Sequence, residues 1–232
     1  MFDMPTNTYQ QPIGACVDWQ PRELPRRVVL QGRTCRLEPL NAHIHAPQLY
    51  KAYASAPDAR HWTYMAYGPF ESAEQFGLHC AALANSSDPM HWAVIDLNSG
   101  EAVGSLSLMR IDANNGVVEV GHVMFSPLLQ GTVMSTEAQF LLMQYVFDEL
   151  GYRRYEWKCD ALNQPSRKTA ERLGFSFEGV FRQAIVYKGR NRDTAWFSII
   201  NTEWPARKEA FLCWLSPQNF DAKGQQINRL KP

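Results

Sequence analysis

The sequence has no excess of charge of either sign, because 23 lysines and arginines balance 23 aspartates and glutamates in 232 residues. No long-range electric field therefore attracts nucleic acid or an anionic membrane surface, and neither is expected as a partner. No run of about 18 apolar residues occurs, so no membrane-spanning helix is predicted. The first five residues also lack the basic and apolar blocks of a signal peptide.

Cysteine is scarce and scattered. The cysteines are odd in number and form no Cys-x-x-Cys pair: they are Cys16, Cys35, Cys80, Cys159 and Cys213. The histidines show no i, i+4 spacing with a partner acid. These patterns favour neither a disulfide framework nor a zinc site. We therefore expect no metal, and a reducing cytoplasm as the location.

Apolar residues are plentiful. They make up 45% of the chain, enough for the core of one domain with extensions. Residues 1–30, rich in Pro, Gln, Asn and Thr, are predicted to be an N-terminal extension that either wraps the domain or is disordered. The domain itself is expected over residues 31–203, followed by a C-terminal helix and tail over residues 204–232. The polar tail is predicted to fray from Ser216 onward.

Strand and helix patterns alternate along the domain, and hairpin signals are concentrated in its first half. This alternation predicts an α/β (α+β) fold in which helices cover both faces of a mixed sheet. Residues 117–160 contain a strand, a long helix from about Ser135 to Leu150, and a second strand. A right-handed crossover of this kind makes its two strands parallel neighbours.

A polar turn, residues 126–132, leads directly into that long helix. Helix N-termini present unpaired backbone N–H groups and the positive end of the helix dipole, and together these bind phosphate. The predicted phosphate-binding residues are Gln130, Gly131, Thr132, Val133, Met134 and Ser135. An ordinary strand-to-helix turn is the alternative. Val133 favours that alternative, because a β-branched residue resists positive φ and crowds an approaching phosphate.

Several segments, taken in order, resemble the GNAT acetyltransferase superfamily, in particular its branch of ribosomal-protein N-terminal acetyltransferases. They are Glu119-Val120-Gly121-His122-Val123-Met124-Phe125-Ser126-Pro127, residues 130–138, Asn163-Gln164-Pro165-Ser166, Leu173-Gly174-Phe175, and Glu178-Gly179. The pyrophosphate loop of this family reads Arg or Gln, two residues, Gly, one residue, then Gly or Ala. Gln130 fits this pattern, whereas Val133 and Ser135 replace the usual small residues. The resemblance therefore implies weaker coenzyme binding than a glycine would give.

The resemblance implies a mostly antiparallel central sheet of about seven strands, in which one parallel pair splays apart and forms a slot for acetyl-CoA. Backbone groups of Val123, Met124 and Phe125 would bond the pantetheine arm, and one N–H would polarise the thioester carbonyl. Asn163 is implied to contact the pantetheine, and Ser166 to protonate the departing thiolate. Both residues also suit the first turn of a short helix without any catalytic role.

The acceptor side is less well defined by the sequence. An amine must lose a proton near neutral pH, and the candidate bases are Glu119 and His122. Only one of the two is expected to face the acceptor cleft. Glu119 is preferred as the base, with a solvated strand glutamate as the alternative, and His122 is assigned to acceptor binding. The aromatic residues Trp62, Tyr64 and Tyr67 are predicted either to line the acceptor pocket or to cover the core.

These features predict an N-acetyltransferase that moves an acetyl group from acetyl-CoA to a primary amine by direct attack in a ternary complex. The acceptor is a protein or peptide N-terminus or a small amine. A module that binds or senses acyl-CoA with little turnover is the alternative, and an adaptor whose aromatic loop docks a peptide is a third reading. A homodimer is left open.

Overall fold

The computed structural model describes residues 5–232, which contain an eight-stranded sheet. Its strands, in chain order, are β1 Leu30–Gln31, β2 Cys35–Pro39, β3 Met90–Asp96, β4 Ala102–Asp112, β5 Val117–Phe125, β6 Arg154–Asp160, β7 Ser176–Tyr187 and β8 Arg190–Ile200. The spatial order across the sheet is β1-β2-β3-β4-β5-β6-β8-β7.

Every neighbouring pair of described strands is antiparallel except β5 and β6, which are parallel. The prediction of a mixed, mostly antiparallel sheet is confirmed, with eight strands in place of about seven. The additional strand is β1, whose two residues pair with β2 at the edge of the sheet. A strand of two residues is too short to show alternation, so the sequence pattern does not reveal it.

The described residues form five α-helices: α1 Ala42–Ala54, α2 Ala73–Asn85, α3 Val133–Gln144, α4 Gln164–Arg172 and α5 Trp204–Leu215. A π-helical turn, Tyr145–Glu149, continues α3. Four helices begin at a side chain that accepts a backbone N–H of the first turn, and these caps are Asn41, Ser72, Thr132 and Asn163.

The helices form a layer on each face of the sheet. On β3, Trp92 and Val94 point into a core shared with α3, α4 and α5, whereas Ala93 and Ile95 point into a second core shared with α1 and α2. This period of two places the helices on opposite faces, as the sequence pattern predicts. The strand β3 and the first part of β4 are therefore buried on both faces.

The described part of the N-terminal extension packs on the domain. The indole N–H of Trp19 donates to the backbone oxygen of Asn114 at 2.6 Å, and the Trp92 indole donates to the Val28 oxygen at 2.9 Å. These bonds join the extension to the β4–β5 turn and to a core residue of β3. Residues 1–4 lie outside the described residues.

The C-terminal tail does not fray, and that prediction is wrong. The side-chain amide of Asn219, a buried residue, donates to the backbone oxygens of Trp214 and Asn228 at 3.0 and 3.1 Å. A β-bridge joins Phe220 to Gln226, and Leu230 is only 8% exposed. The buried Asn219 amide thus joins the end of α5 to the polar tail, and amino-acid composition does not show this contact.

Within residues 5–232, no helix combines the length and the apolar character that crossing a bilayer requires.

Candidate functional site

The parallel strands β5 and β6 separate part-way along their length. They pair over four positions, the last of which joins Val120 to Trp157, and the described pairings between them stop there. β5 nevertheless continues to Phe125 and β6 to Asp160. The predicted splay of the parallel pair is therefore present, and it leaves a gap between the far halves of the two strands.

A β-bulge in β5 accounts for this separation. Against β4, two residues of β5, His122 and Val123, stand opposite the single residue Leu106. His122 has a φ of 49°, which is unusual for a residue with a side chain. A bulge bends its strand and increases the local twist. The far half of β5 therefore turns away from β6, and its backbone groups on that side have no strand partner.

A cavity of about 1700 Å³ fills the gap and extends onto both faces of the sheet. We call the part beside α3 and α4 the helix half, which includes Thr132 and Ser166. The part on the opposite face is the loop half, which includes Glu119, His122 and Tyr64. Because both halves belong to one cavity, a ligand in one half can contact a ligand in the other.

The N-terminus of α3 borders the helix half. The helix begins at Val133, two residues before the predicted start, because the Thr132 hydroxyl accepts the Ser135 backbone N–H at 3.3 Å. The residue with positive φ is Gly131, at 72°, and no atom lies within 4 Å of the position that its Cβ would take. Val133 has helical geometry, so this position does not require the positive φ that a β-branched residue resists.

The turn before α3 is closed by a side chain. Nε2 of Gln130 donates to the Phe125 backbone oxygen at 2.6 Å, which joins the end of β5 to the start of the turn. Met134 packs against the core behind α3. The other predicted phosphate-binding residues line the cavity: Gln130, Gly131, Thr132, Val133 and Ser135.

The backbone of β5 forms the edge of the gap. Val123, Met124 and Phe125, the three residues predicted to bond pantetheine, all line the cavity. The Met124 backbone oxygen accepts the hydroxyl of Tyr53, on α1, at 3.0 Å, and this hydroxyl also lies 3.1 Å from Ser105 Oγ. Helix α1 thus fixes the position of the strand edge through a tyrosine that the sequence reasoning missed.

Ser166 lies in the first turn of α4 and lines the helix half. Its backbone N–H donates to the Asn163 side-chain oxygen at 3.2 Å, so Asn163 acts as the helix cap and also lines the cavity. The indole N–H of Trp157, on β6, donates to Ser166 Oγ at 3.0 Å. Since the indole is a donor only, the hydroxyl proton of Ser166 points elsewhere and is available to a second acceptor.

Glu119 is buried in the loop half and is not a solvated strand residue. It is 5% exposed, and its carboxylate lies 2.9 Å from Lys158 Nζ and 3.2 Å from Arg110 Nε. Burial raises the pKa of Glu119 above its ordinary value, against the opposing effect of Lys158 and Arg110. Lys158 is itself held 2.7 Å from Glu156, so the carboxylate shares its cation with a second acid.

His122 lies on the same face of the sheet as Glu119, so the expectation that only one of them faces the cleft is wrong. In a regular strand, residues three apart point to opposite faces, but the bulge at His122 reverses this alternation. The His122 ring stacks on Tyr67 with centroids 5.8 Å apart and meets His91 edge-on at 5.2 Å. Burial lowers the pKa of His122, so the imidazole is neutral near pH 7.

Of the three aromatic residues predicted to line the acceptor pocket, one lines the cavity and two pack in the core. Tyr64 lines the loop half, and its hydroxyl donates to the Leu162 backbone oxygen at 3.2 Å. Trp62 is 7% exposed and packs edge-on against Tyr53 at 5.7 Å. Among the described residues, those that line the cavity do not include Trp62 or Tyr67. Both fit the alternative of covering the core, and Tyr67 lies behind His122.

Several cavity residues were not predicted as site residues. Lys158 alternates with core residues on β6, a pattern that could have identified it, whereas Gln139 falls on a helix face that periodicity alone assigns to the core. Others come from the end of α4, from α5 and from the tail: they are Arg172, Trp214, Phe220, Gly224, Gln225 and Gln226. Their place in the cavity depends on the return of the tail, which the sequence does not show.

A search of the described residues finds no cluster of three or more His, Cys, Asp or Glu side chains arranged to hold a metal ion. Some buried polar atoms of the cavity lining have no hydrogen-bond partner among the described residues: they include Nε2 of His61, Nε1 of Trp196 and both side-chain amide atoms of Gln139.

Comparison with known proteins identifies the family. The model of the acetyltransferase (GNAT) domain matches residues 35–176, more than half of the chain. The chain belongs to the GNAT acetyltransferase family. The matched region contains both parting strands, the turn before α3 and the whole of α4.

Solved GNAT structures match almost the full length of the chain. A GCN5-related N-acetyltransferase from Brucella melitensis is 51% identical with a TM-score of 0.89, over 92% of this chain and 96% of that one. A structure assigned to the GNAT acetyltransferases from Chromobacterium violaceum is 39% identical with a TM-score of 0.77, over 84% and 99%. Helix α5 and the tail, residues 204–232, lie beyond the family match, yet residues of both line the same cavity.

A curated relative is more distant. YdaF of Bacillus subtilis (strain 168), provisionally named a ribosomal N-acetyltransferase, is 30% identical over 112 residues, which are 48% of this chain and 61% of that protein. The chain therefore matches less than two thirds of the length of this relative.

Proposed function

We propose that the protein transfers an acetyl group from acetyl-CoA to a primary amine by direct attack in a ternary complex. The parting of β5 and β6 carries this proposal, because it produces one cavity with a half on each face of the sheet. Two reactants that enter from opposite faces meet in the gap. Holding them there supplies most of the expected rate enhancement.

The residues of the helix half fit a pantetheine diphosphate. The N-terminus of α3 offers backbone N–H groups and a positive dipole end to phosphate. Free space around the missing Cβ of Gly131 lets a phosphate approach the backbone closely. The edge of β5 that has no strand partner on the β6 side, residues 121–125, offers the backbone groups not already bonded to Tyr53 and Gln130 to the amides of the pantetheine arm. The bound coenzyme supplies the acetyl thioester, and N–H groups on this edge polarise its carbonyl.

Ser166 is proposed as the proton donor to the leaving sulfur. Its oxygen already accepts the Trp157 N–H, which orients the hydroxyl proton away from the indole. Cys159 also lines the helix half, but burial raises the pKa of its thiol, so it stays protonated at neutral pH. A covalent acetyl-cysteine route is therefore disfavoured relative to direct attack.

Glu119 is proposed as the base that receives the amine proton, directly or through a water. A general base is most effective when its pKa lies near the working pH, and burial raises the pKa of Glu119 in that direction. Lys158 and Arg110 stabilise the carboxylate before the proton arrives. His122 is the second candidate, because it is neutral and lines the same half.

The acceptor is proposed to be a protein or peptide N-terminus or a small amine, with the name of YdaF favouring a protein substrate. Tyr64 and His122 border the loop half where the acceptor binds. The alternative of an acyl-CoA sensor with little turnover rested partly on the conformation expected of Val133. Because Val133 is helical, that support is removed.

A pair of glycines tests the coenzyme site. Gly131 and Gly100 both have a φ of 72° and no atom within 4 Å of the position that a Cβ would take, but only Gly131 belongs to the cavity lining. Gly131→Ala and Gly100→Ala should therefore carry similar backbone strain of ~1–2 kcal/mol. We expect calorimetry to show a loss of acetyl-CoA affinity of about tenfold or more in Gly131→Ala alone.

Turnover is tested with a thiol-release assay across small amines and N-terminal peptides. Acetyl-CoA-dependent thiol release that requires an amine supports the transferase. Binding without release toward any acceptor would support the sensor, and equal affinity in the two glycine variants would contradict the placement of the diphosphate at α3.

A further inference from the structure

The helix half of the cavity continues beyond the N-terminus of α3 into a crevice between α3 and α4, and the C-terminal tail forms the outer wall of this crevice. Gln139 lies two turns along α3, Arg172 ends α4, and Trp214 and Phe220 come from α5 and the tail. We call these four residues, together with Gln226, the tail pocket. The proposed chemistry does not use any of them.

Gln139 indicates that the tail pocket takes a polar ligand. The residue is 1% exposed, and neither its side-chain nitrogen nor its oxygen has a hydrogen-bond partner within residues 5–232. Leaving a buried amide without partners is unfavourable, and such groups are almost always satisfied in folded proteins. Since Gln139 lines the cavity, a ligand with both a donor and an acceptor satisfies it.

Arg172 indicates that the ligand is also anionic. Its Nη2 donates at 2.7 Å to the hydroxyl of Thr136, the fourth residue of α3, and this bond holds the guanidinium beside the helix N-terminus. Arg172 is a solvent-exposed residue, and none of the ion pairs formed by the described residues includes it. A cation without an acidic partner, next to the positive end of a helix dipole, favours a phosphate.

Trp214 and Phe220 indicate that the ligand has a flat, apolar part. Their rings meet edge-on with centroids 5.4 Å apart, and the Trp214 indole N–H donates to Gln226 Oε1 at 2.9 Å. The bridge between Phe220 and Gln226 and the Asn219 amide hold this arrangement in place. The Arg172 guanidinium lies over the Trp214 ring, with Cζ 5.9 Å from the ring centroid. The aromatic surface that remains, with its polar edge already satisfied, suits a planar base.

We propose that the tail pocket binds the nucleotide end of the coenzyme, with Arg172 on a phosphate that the shortened ligand lacks, Gln139 on polar groups of the nucleotide, and the Trp214–Phe220 pair against the base. The tail is then part of the coenzyme site. It adds affinity for the nucleotide end and none for the thioester end. This inference rests on the proposed function. It adds that a segment outside the family match selects the complete coenzyme over a shortened one.

The test compares two ligands by calorimetry on the full chain: acetyl-CoA, and S-acetyl-4′-phosphopantetheine, which lacks the nucleotide. The wild type is expected to bind acetyl-CoA at least about thirtyfold more tightly. Gln139→Leu and Arg172→Gln are expected to lower this preference to below about fivefold, while affinity for the short ligand changes little. Matched controls are Gln144→Leu on the last residue of α3 and Lys168→Gln on the exposed face of α4.

A second measurement separates binding from folding. Gln139→Leu removes an unsatisfied buried amide, so the melting temperature of the unliganded variant should rise above that of the wild type, although its acetyl-CoA affinity falls. A merely structural glutamine would give a lower melting temperature.

The outcomes are distinguishable. If both ligands bind the wild type equally and the short one still donates its acetyl group, the tail pocket is refuted and the transferase stands. If the wild type prefers acetyl-CoA but both variants keep that preference, the assignment of Gln139 and Arg172 is refuted. If neither ligand binds the wild type, the transferase proposal fails and the tail pocket fails with it.

Discussion

The hydrogen bond from Trp157 to Ser166 leads to a prediction in which stability and turnover respond separately. The bond is 3.0 Å long, and Trp157 is 5% exposed. Ser166→Ala removes the acceptor and leaves the indole N–H without a partner, which costs about 1–3 kcal/mol of unfolding free energy. Loss of a general acid lowers kcat by about a hundredfold or more. Acetyl-CoA affinity should change little, because the hydroxyl acts on the leaving group.

Trp157→Phe tells the two effects apart. Phenylalanine has no side-chain N–H that could lose its acceptor, so adding Ser166→Ala in this background should cost little further stability. The double-mutant cycle is therefore expected to show a coupling of about 1–3 kcal/mol in unfolding free energy. Turnover should not recover in the double variant, because the hydroxyl is still missing. Ser176→Ala, at an exposed serine of β7, is the matched control.

Urea unfolding measures the stabilities, and thiol release at saturating substrates measures kcat. Unchanged kcat in Ser166→Ala would remove the serine as the acid. Recovery of turnover by Trp157→Phe in the Ser166→Ala background would show that lost stability alone had lowered activity.

Three further perturbations follow from the site. Val133→Gly should leave the acetyl-CoA Kd unchanged in calorimetry while destabilising α3 by ~0.5 kcal/mol in urea unfolding, and tighter binding would restore the steric account. Activity should rise with pH as the base loses its proton. Glu119→Gln should therefore abolish the acidic limb of the kcat/KM profile, whereas His122→Asn should leave that limb unchanged. The reverse result makes His122 the base. Burial lowers the pKa of His91 to about 3, so stability should fall by up to ~1.4 kcal/mol per pH unit as pH drops from 6.5 toward 3, because the unfolded chain binds the proton first. His91→Leu should flatten that dependence in urea unfolding.

The elements of the fold are largely predictable because their signals are local. Ser72 and Asn163 stand where helix caps belong, and both cap helices in the structure. The crossover from β5 through α3 to β6 follows from the handedness of such units, and the parallel pair is where it was expected.

The arrangement of the site is less predictable because it depends on register and on distant contacts. A period of two places Glu119 and His122 on opposite faces, and only the pairing with β4 reveals the extra residue that brings them together. Gln139 reads as one more residue of a core helix until the tail is seen beside it. The tail itself is fixed by the Asn219 amide, which bonds the backbone oxygens of Trp214 and Asn228 within a polar segment.

The bulge at His122 and Val123 also determines which kinds of sequence change the protein can accept. Substitutions along β5 alter individual side chains but leave the count of residues, and therefore the strand register, intact. Deleting one residue of the pair would let β5 run straight beside β6 and would move His122 or its successor to the other face. The gap between the strands and the placement of His122 thus share one origin, so this strand is constrained in length more strictly than in composition.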